Sequence, residues 1–162
     1  DVIGDMNRYV ANYPIDGFFV DEMANDESSK TINYYLAIYR YAKGVNDRLR
    51  VVMNPGTATP ELYLSMPLAD AIVTFEAGHQ LYPRAQVSNW VRNYGNEQFA
   101  HLVYDVSSVE AAMGFVSLAQ QRNAGLIYVT SDGRAGNPWD TLPTYWNELV
   151  REVCRRNRSK NC

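Results

Sequence analysis

Long apolar runs are missing from this 162-residue chain. A membrane-spanning helix needs roughly 20 consecutive apolar residues, and no stretch approaches that, so no membrane span is expected. Cysteine is scarce: Cys154 and Cys162 both stand at the end of the chain, open to pairing with each other or with a segment outside it. The two histidines, His79 and His101, lie far apart in sequence. Neither type shows metal-ligand spacing, so a structural zinc site is not expected and no metal or cofactor is implied. The formal charge is -3 and no basic stripe exists. Phosphate binding needs clustered Lys and Arg, so nucleic acid is excluded as the main partner. The basic cluster at 151–160 reads as a solvated helix end, where cations suit the C-terminal dipole. An initiating Met and a signal peptide are also missing, and the text from Asp1 is already helix-like. The expectation is that an N-terminal part has been removed. The Gly-x-Gly-x-x-Gly phosphate cue is absent too.

What is present is ordinary for a globular protein, with 46% hydrophobic and 20% charged residues. Aromatics reach 12%, led by 12 Tyr. Such rings serve packing, and they also serve carbohydrate sites, where a sugar's C–H face stacks on the ring. Asn157, Arg158 and Ser159 form a glycosylation sequon, which is meaningful only in a secreted protein.

Five short apolar runs alternate with longer amphipathic ones. The apolar runs cover 16–23, 49–54, 71–77, 99–106 and 125–131, each rich in Val, Ile, Phe or Tyr and about strand length. Several are apolar almost throughout, as parallel strands buried on both faces are. Helices are expected at 2–13, 28–43, 60–66, 84–94, 107–122 and 142–155. Ser28 or Ser29 is the N-cap of the second, and Ser107 with Glu110 forms a capping box for the fifth. Strand and helix repeated five times predict an α/β fold with a parallel sheet, as one domain spanning 1–162. A (β/α)8 TIM-barrel-type fold has eight such units and about 250 residues, so this chain would hold about five of them, without the N-terminal strands. An open doubly wound sheet is the alternative architecture.

Polar residues stand at the end of every strand: Asp21-Glu22, Asn54, Glu76, Asp105 and Ser131-Asp132. In either architecture these ends build the ligand site. Asp105 and Asp132 read first as turn or cap residues, with Asp105 also a candidate substrate contact. Adjacent acids after Phe18-Phe19-Val20, and Glu76 after Val73-Thr74-Phe75, are harder to explain as caps. Glycoside hydrolysis needs such equipment: one carboxyl group protonates the leaving oxygen, the other acts as nucleophile, base or electrostatic stabiliser. Acidic strand ends also serve divalent metals, which leaves a metal-dependent hydrolase as a further alternative.

The run Tyr13-Pro14-Ile15-Asp16-Gly17-Phe18-Phe19-Val20-Asp21-Glu22 resembles the "YPIDGIFFDE"-type segment of the spherulin-4-like proteins of glycoside hydrolase family 135. Asn54-Pro55-Gly56-Thr57 resembles their "NPGT" segment, and Ala69-Asp70 through Thr74-Phe75-Glu76 their "AD-x-x-V-x-FE" segment, in the same order and spacing. The resemblance covers nearly all of this chain and the later part of a family member. It implies an eight-unit barrel, endo-acting hydrolysis of an α-1,4-linked galactosamine or N-acetylgalactosamine polysaccharide, and a secreted or cell-surface setting. Carried over residue by residue, it assigns Glu76 as general acid/base, Asp21 as nucleophile or electrostatic partner, and Glu22 as the group that holds or tunes them. Asn54 becomes a sugar-hydroxyl contact, and Tyr104, Tyr128 and Trp139 become candidates for stacking. The competing reading is a non-catalytic cell-surface protein that keeps the sugar groove. A five-unit piece alone is open to association through its first strand, or to inactivity, and the oligomeric state is left open.

Overall fold

All five expected strands form. A computed structural model describes residues 1–157; 158–162, which hold Cys162 and the last two sequon positions, lie outside the described residues. The elements run α1 (Val2–Asn12), β1 (Gly17–Val20), α2 (Ser29–Val45), β2 (Arg50–Met53), α3 (Leu62–Ser65), β3 (Ala71–Gly78), β4 (Phe99–Tyr104), α4 (Val109–Gln121), β5 (Leu126–Val129) and α5 (Trp146–Asn157). The sheet order is β1-β2-β3-β4-β5, and the sheet does not close on itself. Pairing is parallel between β1 and β2, β2 and β3, and β4 and β5. The chain divides into two units, Asp1–Thr74 and Phe75–Cys162, with the boundary inside β3.

In the N-terminal unit, Gly17 pairs with Arg50, and a Cβ at Gly17 would lie 2.0 Å from the Arg50 carbonyl oxygen. Only glycine lets β1 and β2 come together there. Ser28 caps α2, its hydroxyl accepting from Thr31 N at 3.2 Å. The Asp70 carboxylate then ties α2 to the sheet. Its Oδ2 accepts from Lys43 Nζ at 2.7 Å and Val51 N at 2.7 Å, and its Oδ1 from Tyr39 Oη at 3.0 Å.

In the C-terminal unit, Tyr82, Val103, Phe115, Val116, Val129 and Leu149 pack into one buried core. Tyr82 meets the rings of Phe75 at 4.8 Å and Phe115 at 5.1 Å, and its hydroxyl lies 2.7 Å from His101 Nδ1. Burial, and then the Arg122 guanidinium, push His101 down to about 4, so it sits in the core as a neutral imidazole.

Three expectations of local structure need correction. The helix expected at 84–94 is replaced by 3-10 turns at Tyr82–Arg84, Asn89–Asn93 and Asn96–Gln98. Asn123 Nδ2 donates to the Val91 and Tyr94 carbonyls, both at 2.9 Å, so those acceptors are claimed by a side chain from elsewhere. Trp90 and Tyr94 meanwhile pack on Phe99, at 5.7 and 6.4 Å. The N-cap of α4 is Ser108 and not Ser107; its hydroxyl accepts from Ala111 N at 3.3 Å and donates to Glu110 at 2.7 Å. Val106 N is still bonded to Thr130 O at 2.9 Å, so the chain runs extended up to the residue before Ser107. The last helix starts at Trp146 and not 142, because Thr141 is held by Tyr128 and Asp132. Within the described part of the basic cluster, Arg151 pairs with Glu148, and Arg155 and Arg156 with Glu152. Cys154 is disulfide-bonded.

Candidate functional site

Each unit presents its own set of polar strand ends. In the N-terminal unit, β1 delivers the chain to Asp21 and β2 to Asn54. Asn54 N donates to Val20 O at 2.8 Å and Met23 N to Asn54 O at 2.9 Å, so the two ends are laced together past the last paired residues. Asp21 and Glu22 are both exposed, whereas Asn54 is 5% exposed. Asp21 Oδ1 accepts from Asn54 Nδ2 at 2.7 Å and from Glu22 N at 2.9 Å. Aiming that amide back costs Glu22 a left-handed backbone, with φ 53°. Such a conformation in a residue other than glycine costs about 1–3 kcal/mol. The loop that follows is pinned: Ala24 N donates to Tyr35 Oη at 2.8 Å, and Tyr63 Oη donates to Asp26 O at 2.7 Å. Asn25 Nδ2 donates to Ala58 O at 3.0 Å.

In the C-terminal unit, strand alternation sorts the side chains. Phe75, Val103, Ile127 and Val129 belong to the core with α4 and α5. Their neighbours Glu76, Tyr104 and Tyr128 therefore face the other side of the sheet. Gly78 lies on that side too; a Cβ there would meet the Tyr104 ring at 3.4 Å. The Tyr104 ring centroid is 6.0 Å from that of Trp139, and the Tyr128 ring is 5.9 Å from Trp139. Trp139 keeps 37% of its surface exposed. The loop carrying it is folded down by Tyr128 Oη donating to Thr141 O at 3.1 Å and by Thr141 Oγ1 donating to Asp132. The three rings that were only separate candidates in sequence thus form one group.

Asp105 sits beside this group with φ 60°, its N–H donating to Asp132 O at 2.8 Å. Of the two readings of its position, turn or cap, it is a turn residue, and the cap of α4 is Ser108. A Cβ at Gly133 would lie 1.9 Å from Asp105 Oδ1, so Gly133 leaves the space that the carboxylate fills. Asp132 accepts from Thr141 and so fixes the loop; it caps no helix either.

Three further residues at this rim gave no sequence signal. Arg134 lies 5.9 Å from the Tyr104 ring centroid. His79 donates its backbone N–H to Tyr104 O at 2.9 Å while its Nδ1 is buried without a partner. Gly133 follows Asp132 in what reads as an ordinary turn. Among the described residues no group of three or more His, Cys, Asp or Glu is placed to hold a metal ion. No helix among them is long and apolar enough to cross a membrane.

Residues 1–153 match the profile of spherulation-specific family 4. The chain belongs to this family. That agrees with the spherulin-4 resemblance read from the three motifs. Among the family's relatives, Spherulin-4 of Physarum polycephalum is 29% identical over 164 residues, covering 94% of this chain and 47% of its own length. The chain therefore spans about half of that curated relative. The crystal structure of Aspergillus clavatus Sph3 in complex with GalNAc superimposes with a TM-score of 0.69 at 20% identity. It covers 91% of this chain and 60% of the Sph3 chain. The likeness shows a shared fold: the five-stranded α/β sheet described above.

Proposed function

We propose that this chain is the C-terminal portion of a (β/α)8-barrel glycoside hydrolase, a single domain over 1–162, that cleaves α-1,4-linked galactosamine or N-acetylgalactosamine polysaccharide internally. The observation that carries this reading is Glu76, a half-buried carboxylate on the same face of β3, β4 and β5 as the Tyr104–Trp139–Tyr128 rings. Rings offer a stacking surface for a pyranose, and a carboxyl group beside that surface can reach a glycosidic oxygen. The GalNAc bound by Sph3, which shares the fold, supports the sugar class.

In this reading Glu76 gives a proton to the departing oxygen, so the C1–O bond breaks without expelling an alkoxide. Asp21 stabilises the oxocarbenium-like charge at C1 or forms a glycosyl ester with it, and Glu22 holds that arrangement. Water then adds to C1 and gives its proton to one of the two carboxylates, releasing the sugar. Asp105 contacts substrate beside the rings. The setting is secreted or on the cell surface, where the polymer is.

The test is Glu76→Gln in the full-length protein, assayed on purified α-1,4-linked galactosamine or N-acetylgalactosamine polymer by reducing-end release and by binding. Turnover should fall by roughly 10³-fold or more, with polymer binding kept within a few-fold. Wild-type protein that binds the polymer and never cuts it would make this a sugar-binding module instead. Cleavage abolished by a chelator and restored by a divalent ion would point to the metal-dependent alternative.

A further inference from the structure

The Asn54-Pro55-Gly56 turn does something more specific than end a strand. Asn54 is 5% exposed, which leaves little of it for a sugar hydroxyl. Its Oδ1 accepts the Gly56 N–H at 2.9 Å, an Asx turn, and Gly56 sits at φ 66°, where a side chain would be strained. That bond decides which end of the amide faces Asp21. Flipping the group would set Nδ2 against an N–H and an oxygen against a carboxylate. So Nδ2 must point to Asp21, and it donates to Oδ1 at 2.7 Å. The second donor, Glu22 N, reaches the same oxygen at 2.9 Å. Asp21 Oδ2 takes no hydrogen bond among the described residues, and the side chain is exposed.

We infer that Asn54 is a positioning residue, which with the Glu22 amide clamps Oδ1 and leaves Oδ2 as the reacting oxygen of Asp21. The inference rests on the glycosidase reading of Asp21 and adds the atom that acts and the group that aims it. Two donors on Oδ1 fix the rotation of the carboxylate, so Oδ2 meets C1 in one direction and needs no reorientation during the step. The Gly56 conformation closes the turn whose hydrogen bond keeps the donor in place.

The experiment compares Asn54→Asp and Asn54→Ala in the full-length protein. Asn54→Asp keeps an oxygen for the Gly56 N–H and removes the donor to Asp21. Asn54→Ala removes both without adding charge. Each should lower kcat by about 100-fold with KM within about two-fold, since orientation is lost and ground-state binding is not. A crystal structure of Asn54→Ala should show Asp21 in more than one rotamer. A raised KM at unchanged kcat would overturn the inference and make Asn54 a sugar contact. An undisturbed Asp21 rotamer in Asn54→Ala would overturn it as well. Should the wild-type protein hydrolyse nothing, the glycosidase reading fails, and the rotamer comparison still decides whether Asn54 holds Asp21.

Discussion

Asp21 and Asp70 lie in the same unit and are used in opposite ways. Asp70 has both oxygens engaged, by a lysine, a backbone amide and a tyrosine, and its side chain is 26% exposed. Asp21 is exposed, with one oxygen held twice and the other taking no hydrogen bond among the described residues. The first carboxylate has most of its acceptor capacity spent on the fold and joins a helix to two strands. The second is half restrained, which suits a group that must meet a substrate. Count and direction of hydrogen bonds, more than the residue type or its motif, distinguish the two acids: one is spent on the fold, and the other keeps acceptor capacity for the role proposed for it.

The largest effects should come from exchanging these roles. Asp70→Ala should cost about 3 kcal/mol, because Lys43 and the Val51 amide lose a partly buried anionic acceptor. Asp21→Asn should cost under about 1 kcal/mol, since its exposed carboxylate anchors little. Urea denaturation of both, alongside polymer hydrolysis, sharpens the contrast. The comparison breaks if Asp21→Asn unfolds the protein or Asp70→Ala leaves its stability intact.

A buried group of the other unit extends the contrast to a titration. His101 is neutral in the core, held down to about 4 by burial and then by Arg122. Its contribution is complete above the ordinary histidine value of 6.5 and is lost as pH falls toward 4. At about 1.4 kcal/mol per unit, that loss is about 3 kcal/mol. Melting curves from pH 7.5 to 4 should show the wild-type protein losing stability faster than His101→Gln. Parallel declines would mean that another group drives acid unfolding.

The smallest expected effect lies beside Asp21. Glu22→Gly removes the left-handed backbone penalty and should stabilise the fold by up to about 1 kcal/mol, offset by glycine's extra chain entropy. The same change frees the amide that clamps Asp21 Oδ1, so kcat should fall while the melting temperature holds or rises. A variant that melts lower and reacts as fast would show that Glu22 serves the fold alone.

Much of the architecture could be read directly from the residues. The runs around Phe18, Val51, Ile72, Val103 and Tyr128 are apolar, β-rich and short, and each became a strand. In place of the helix at 84–94 stand 3-10 turns tied to Asn123, a residue about 30 positions away, a partnership that no local periodicity can reveal. The cap of α4 is Ser108 and not Ser107, one position later than the capping box placed it. Tyr104, Tyr128 and Trp139 were named on the family resemblance, whereas Asp21 and Glu22 in the N-terminal unit and Glu76 in the C-terminal unit stood out as acids at strand ends. Arg134, Gly133 and the buried His79 nitrogen did not, since turn residues look alike until a neighbour gives them a task.

Gly17 and the Asn54-Pro55-Gly56 turn mark the division clearly. Their types were dictated along the chain, as glycine where a strand needs room and as turn formers where the backbone must bend. That Gly17 faces the Arg50 carbonyl, or that the turn's amide reaches an aspartate 33 residues earlier, was decided only in the tertiary structure. Local sterics and hydrophobic periodicity act over a few residues and can be read in order. Hydrogen-bond partnership depends on which strands become neighbours, and it acquires a direction only once they do.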